Sequence, residues 1–233
     1  CGECGIYSEE YALPGETTQK ELLELVAALN DREDIDGILV QLPLPSHLNE
    51  KEVLLAVRPD KDVDCFHPFN VGQLMIGEEG FKPCTPAGVM ELLQEYGIDP
   101  AGKHCVVVGR SHIVGRPMSM LMLHANATVT ICHSHTRDLV SHTRQADILV
   151  AAVGRERFIT ADMVGEGAVV IDVGMNRDAE GKLCGDVDFA GVEPKVSAIT
   201  PVPGGVGPMT ITELLQNTVT AAKILSKKAE NPS

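Results

Sequence analysis

The chain contains no tryptophan, and aromatic residues make up 3% of its 233 residues. Proteins that bind single-stranded nucleic acid rely on aromatic stacking faces, so that class of partner is disfavoured. Cations are also in short supply. The 19 Lys and Arg stand against 33 Asp and Glu, a net charge of −14. No basic patch stands out that could release counterions from a polyanion. No apolar run approaches the roughly 18 residues that a membrane-spanning helix needs, and no signal peptide is visible. The cysteines, at 1, 4, 65, 84, 105, 132 and 184, are odd in number and irregularly spaced. They read as reduced thiols in a reducing compartment, the cytoplasm, rather than as a disulfide framework. Cys1-Gly2-Glu3-Cys4 is a lone CxxC with no second pair, so it reads as a plain helix end and no metal is expected.

What is present is ordinary for a globular chain: 44% hydrophobic and 22% charged residues, enough for one large or two modest domains. The most informative stretch runs from Val106 to Pro117. A β-branched run stops at Gly109, Gly115 follows six residues on, and a helix-like segment begins. A strand, a tight turn and a helix place free backbone N–H groups at the positive end of that helix, where a diphosphate fits. The usual third-position glycine is replaced by Ser111.

The next strand, 127–132, narrows the nucleotide. In folds of this kind an acidic residue about 20 positions on holds the ribose 2′-hydroxyl. Here the strand ends in His133-Ser134-His135-Thr136, and no acid follows until Asp138. Hydroxyls, imidazoles and Arg110 suit a 2′-phosphate, hence NADP over NAD. The alternative is a strand–helix turn that binds nothing; the agreement of turn, helix and strand ending argues against it. His133 and His135, two apart on an extended segment, should point to opposite sides and so make no joint metal site.

Around this centre the chain alternates. A helix over 21–29 follows a capping candidate at Thr17-Thr18, an apolar strand covers 37–42, and 49–57 is helical. Residues 1–70 therefore imply a small parallel-sheet unit. A second alternation opens with Thr85 as N-cap and Pro86 at the first helical position. It continues with strands at 104–108, 127–132, 148–153 and 168–173, and with helices from 116 and over 138–145. That is the pattern of a doubly wound nucleotide-binding domain. The loop Thr200–Thr210 leads to a last helix over 211–226, and 227–233 reads as a frayed polar tail. Residues 1–7 look like the end of a helix whose start is absent, so the chain reads as processed or truncated.

Four segments taken together carry a resemblance: Val40-Gln41-Leu42-Pro43-Leu44-Pro45, Lys61-Asp62-Val63-Asp64, Val108-Gly109-Arg110-Ser111 with Val114-Gly115, and Thr200–Thr210. Pro83-Cys84-Thr85-Pro86 and Ile171-Asp172-Val173-Gly174 match as well. On these the chain resembles the bifunctional methylenetetrahydrofolate dehydrogenase / methenyltetrahydrofolate cyclohydrolase family from residue 1 to about 225. The resemblance implies a two-domain α/β protein, a Rossmann-like doubly wound parallel sheet plus a smaller α/β catalytic domain, with the active site in the cleft between them. Residues 1–82, completed by the helix over 211–226, would hold folate, and 83–210 would hold NADP. It further implies oxidation of 5,10-methylenetetrahydrofolate and hydrolysis of the product to 10-formyltetrahydrofolate, in one-carbon metabolism and purine biosynthesis, by a homodimer.

Carried over residue by residue, the resemblance makes Asp64 the pterin ligand; alone, it would read as a solvated loop charge. A carboxylate can accept both N–H donors of the pterin edge. Gln41 would stand beside the one-carbon centre, with Leu42, Pro203, Gly204 and Gly207 also lining the folate. Gly109, Arg110, Ser111, Ile113, Gly115, His133, Ser134, Ala152, Gly154, Gly174, Met175 and Thr210 would line the dinucleotide. The chain departs from the family pattern at two points. The family's catalytic Lys and Tyr belong to the helix ending at Cys1 and lie upstream of residue 1, which leaves the cyclohydrolase step the more doubtful and a catalytically silent homologue as the alternative. Cys65 stands where the family has glycine, and it is strained by roughly 1–2 kcal/mol if that position has positive φ. An unrelated shikimate-dehydrogenase-like reductase is the other alternative, and the 200–210 loop argues against it.

Overall fold

A computed structural model describes residues 1–230, with side chains to Lys227. Its centre is a parallel sheet of five strands in the order β2-β1-β3-β4-β7: β1 (His104–Val108), β2 (Thr128–Cys132), β3 (Ile148–Ala151), β4 (Val169–Asp172) and β7 (Ala198–Ile199). Strands covered on both faces read as continuous apolar runs, and these do. Cys105 and Val107 of β1, Ile148 and Val150 of β3, and Val169 and Ile171 of β4 face one core with α4 (Cys84–Glu95) and α5 (Gly115–His124). Val106, Val108, Leu149, Ala151 and Val170 face the other, closed by Ile159, Met163 and Val192. An antiparallel hairpin, β5 (Asn176–Arg177) with β6 (Leu183–Cys184), follows β4.

The amino-terminal unit departs from expectation. Residues 37–42 form no strand; Ile38 makes one parallel bridge to Asp62, with its N–H donating to Lys61 O at 2.8 Å. A single extended segment stopped by Pro43 has no further neighbour with which to build a ladder. The unit is instead helical. It comprises α1 (Gln19–Asp31), α2 (Glu50–Ala56) and α3 (Pro68–Ile76), with Leu22, Val26, Ile38, Val53 and Val57 as a small core. Thr18 caps α1 through a full capping box with Glu21. Residues 2–4 make one 3-10 turn closed by Gly5, and residues 6–14 carry no helix or strand.

Three further boundaries differ. The helix expected to start at Pro86 starts at Cys84, with Pro83 as N-cap; proline is tolerated in the first turn because those N–H groups have no helical partner. For the same reason α8 (Val206–Glu230) takes Gly207 and Pro208 into its first turn, so the loop is 200–205 and the helix runs far beyond 211–226. The tail expected from residue 227 is helical through Glu230, and its last part, 231–233, lies outside the described residues. The backbones of α4 and α8 meet at Gly88, where a Cβ would stand 2.7 Å from Met209 Cβ. Ala221 of α8 joins Val63, Cys65 and Phe81 in a core that ties α8 to the amino-terminal unit.

Candidate functional site

In the strand order β2-β1-β3-β4-β7 the winding reverses between β1 and β3. Open parallel sheets bind ligands in the crevice outside the carboxyl ends of the strands at this reversal. Gly109 follows β1 there with φ 137°, and a Cβ on it would lie 2.2 Å from Ala152 O, just past β3. A Cβ on Gly115 would lie 2.3 Å from Gly109 O. The turn closes this tightly because both residues lack side chains. Ser111, at the position where glycine is usual, shapes the turn from within: its Oγ accepts from Val114 N at 3.2 Å and from Gly115 N at 3.3 Å. Arg110 and Ser111 are exposed at the lip and Ile113 is half-buried.

Across the lip, residues 133–136 form a turn, with Thr136 N donating to His133 O at 2.8 Å. The imidazoles of His133 and His135 therefore do not point apart as an extended segment would require; their rings meet edge-on with centroids 6.1 Å apart. His133 titrates below the usual imidazole range because of partial desolvation, the nearby Arg110 cation and His135. An imidazole, Ser134 and a guanidinium gather at the end of β2, where residues 133–137 include no acid, and this donor set fits a 2′-phosphate.

The second part of the site is built by the Lys61–Asp64 run, each of whose charges has a different task. Lys61 is buried, and its Nζ donates to Leu29 O (3.3 Å), Asn30 O (2.9 Å) and Arg32 O (2.6 Å), capping the carboxyl end of α1. Asp62 is buried and accepts from Phe66 N (3.1 Å), His67 N (2.8 Å) and Asn70 Nδ2 (2.8 Å), holding the start of α3. Asp64 has neither duty. Among the described residues its one hydrogen-bond partner is the Cys84 thiol, 3.8 Å from Oδ1. Burial, and secondarily the charge of Asp62, push the Asp64 carboxyl up to about 6. A part-buried carboxylate with free acceptor positions is what a ligand bearing paired N–H donors requires.

Asn217 of α8 links this carboxylate to the nucleotide domain. Its amide donates to Val63 O and Lys82 O, both at 2.8 Å, and reaches Cys84 Sγ at 3.6 Å. The Thr85 and Thr210 hydroxyls are 3.0 Å apart across α4 and α8. A Cβ on Gly207 would stand 3.6 Å from Met175 Cε, so the first turn of α8 meets the loop after β4, where Gly174 is buried. Pro203 and Gly204 are exposed at the tip of the 200–205 loop. Gln41 is exposed, its amide donating to Leu42 O at 3.1 Å.

Sequence reasoning passed over several of these groups. Cys84 and Asn217 are inconspicuous because a thiol and an amide inside helices look like ordinary packing. Asp172, at the end of β4, did leave a trace. Asp172 ends an apolar strand, and a charge placed there must be satisfied by hydrogen bonds. The helix α3 was readable from Pro68 at its first position and Gly77 in the left-handed region at its end.

Two family models match the chain: the tetrahydrofolate dehydrogenase/cyclohydrolase catalytic domain over residues 1–64 and the NAD(P)-binding domain of the same family over 83–226. The bifunctional protein FolD of Lachnoclostridium phytofermentans is 60% identical over 223 residues, which cover 96% of this chain and 79% of that protein. That of Lysinibacillus sphaericus is 62% identical, covering 96% and 78%. The crystal structure of the Campylobacter jejuni bifunctional enzyme FolD superposes with a TM-score of 0.93 at 55% identity, covering 96% of this chain and 79% of that one. The Trypanosoma brucei FolD, complexed with NADP and an inhibitor, gives 0.90 at 42% identity, covering 95% and 78%. Relatives this similar are named bifunctional protein FolD, and the Campylobacter jejuni structure is named a bifunctional enzyme, so the catalytically silent alternative has no support, and the shikimate-dehydrogenase-like reading falls away. Matched over both units, this chain belongs to the tetrahydrofolate dehydrogenase/cyclohydrolase family.

Proposed function

We propose that the crevice at the β1–β3 reversal holds NADP and that the Asp64 side of the same cleft holds the folate. The observation that carries this reading is the contrast between the two ends: cation, imidazole and hydroxyl at the end of β2, and a part-buried carboxylate at Asp64 that accepts only from the Cys84 thiol among the described residues. On this reading Gly109, Ser111, Ile113 and Gly115 receive the diphosphate, and Arg110, His133 and Ser134 take the 2′-phosphate. Ala152, Gly154, Gly174, Met175 and Thr210 flank the remainder of the dinucleotide. Asp64 anchors the pterin in its ionised form. Gln41 and Leu42 approach from the amino-terminal unit, and Pro203, Gly204 and Gly207 close the other side.

The reaction is oxidation of 5,10-methylenetetrahydrofolate to 5,10-methenyltetrahydrofolate, followed by hydrolysis to 10-formyltetrahydrofolate. Bound NADP supplies the hydride acceptor. The chain's own residues orient the one-carbon centre against it and exclude water until the hydride has left. Water then adds to the methenyl carbon in the same cleft, releases a proton, and the bond from that carbon to N5 breaks, leaving the formyl group on N10. Asp64 is a positioning group in both steps and moves no proton. Homodimerisation through the nucleotide-binding domains and a cytoplasmic location belong to the same proposal. No helix among the described residues is long and apolar enough to cross a membrane. The test is to supply the natural gene product with 5,10-methylenetetrahydrofolate and follow NADPH and methenyl product together. NADPH formation with transient methenyl accumulation is expected. No reduction of NADP, or equal rates with NAD, would overturn the reading.

A further inference from the structure

Past the end of β3, the backbone N–H groups of Val153, Gly154 and Arg155 converge on one point. Successive convergent amides form a concavity suited to an anion, and at a nucleotide site such a nest is ordinarily open to phosphate. Here it is already filled. The Asp186 carboxylate, fully buried, accepts from Val153 N at 2.5 Å, Gly154 N at 3.0 Å and Arg155 N at 2.9 Å. It also accepts from Asn176 Nδ2 at 2.8 Å. Its position is fixed in turn by Asp172, whose carboxylate accepts from Asp186 N, Val187 N and Gly174 N, each at 2.9 Å. The packing is reciprocal: a Cβ on Gly174 would lie 2.3 Å from Asp186 Oδ1, and one on Gly185 would lie 1.8 Å from Asp172 Oδ2.

These bonds lead to the nucleotide crevice. Asp186 holds residues 153–155; residue 152 precedes them; and Ala152 O is the atom against which Gly109 is packed. We propose that Asp186 is a positioning residue for the dinucleotide: an internal anion that occupies the β3-end nest, keeps phosphate out of it, and sets the turn that faces Gly109. This rests on the nucleotide assignment made above. It adds that the two turns of the crevice differ: the β1 turn receives phosphate, while the β3 turn is closed to it by the protein's own carboxylate.

The test compares the wild-type gene product with Asp186→Ala and Asp186→Asn in steady-state assays, with and without added formate at constant ionic strength. Wild-type NADP-dependent turnover is recorded first, so that failure of the nucleotide assignment itself is seen separately. Asp186→Ala is expected to raise KM for NADP about tenfold or more, the scale of lost charge-assisted bonds, with KM for folate unchanged. Formate, which can enter the vacated nest, should restore much of the NADP affinity, while chloride should not. If Asp186→Ala is insoluble, Asp186→Asn carries the test without formate: either orientation of its amide turns an NH2 group against two N–H donors, so a rise in the same constant at least as large is expected. An unchanged KM for NADP in a folded variant, equal losses for NADP and folate, or a loss that formate relieves no better than chloride would overturn the proposal.

Discussion

The Cys84 thiol lies 3.8 Å from Asp64 Oδ1, and Asn217 Nδ2 lies 3.6 Å from the same sulfur. Through these contacts α4 and α8 fix the carboxylate from behind and leave its other acceptor positions free. Burial pushes the Cys84 thiol up to about 12, so it stays protonated and can only donate to the carboxylate. Burying this carboxylate weakens the free protein, and this cost can be measured.

The Asp64 carboxyl titrates at about 6 in the folded chain against 3.8 when unperturbed. A raised carboxyl value means that the unfolded state ionises first as pH rises. Folding stability attributable to this group is therefore present below about pH 4 and is lost as pH climbs to 6, on the order of 3 kcal/mol. Asp64→Asn removes the penalty. In urea unfolding without ligands the variant should be more stable than wild type at pH 8, with the gap closing towards pH 4. A variant less stable than wild type at pH 8, or a gap independent of pH, would refute this.

Gly109→Ala should be far more damaging than Gly102→Ala, although both glycines have positive φ, at 137° and 73°. A Cβ at 109 meets Ala152 O at 2.2 Å, whereas nothing lies within 4 Å of one at 102. The first change should cost roughly 2–4 kcal/mol and abolish tight NADP binding, and the second about 1 kcal/mol of strain alone. Thermal unfolding and NADP titration of both variants check the contrast.

Cys65 has φ 61° and is buried, and its thiol donates to Phe81 O at 3.2 Å. Cys65→Ala keeps the strained backbone and loses the thiol's contacts, so it should destabilise by about 1 kcal/mol. Cys65→Gly loses the same contacts but relieves roughly 1–2 kcal/mol of strain, and should end close to wild type. Chemical denaturation of the two variants decides, and glycine no better than alanine would contradict the account.

The nucleotide half was legible because its signals are local. Val106–Val108 stop at Gly109, and β-branched runs at 148–151 and 169–172 mark strands buried on both faces. The positive φ of Cys65 was also readable, from a side chain standing where the resemblance implies glycine. The amino-terminal unit was not legible, because the apolar run 37–42 is extended but has a single bridge partner, and pairing is not encoded in the run itself. The roles within Lys61–Asp64 were equally hidden. Which acid holds the start of a helix and which keeps open acceptor positions depends on where Asn70 and Cys84 arrive from elsewhere in the chain. The nest filled by Asp186 joins residues more than 30 positions apart, beyond any local pattern.

The central claim is that one cleft binds two ligands through separate anchors, Arg110 for the 2′-phosphate and Asp64 for the pterin. Isothermal titration of NADP, NAD and a tetrahydrofolate analogue into wild type, Arg110→Ala and Asp64→Asn tests it most directly. Arg110→Ala should weaken NADP by roughly 1.5–3 kcal/mol and leave NAD and folate nearly unchanged. Asp64→Asn turns an acceptor into a donor facing a pterin N–H, and should weaken folate by about 2–4 kcal/mol while sparing NADP. A substitution that weakens both ligands alike, or an Arg110→Ala protein that loses NADP and NAD equally, would contradict it.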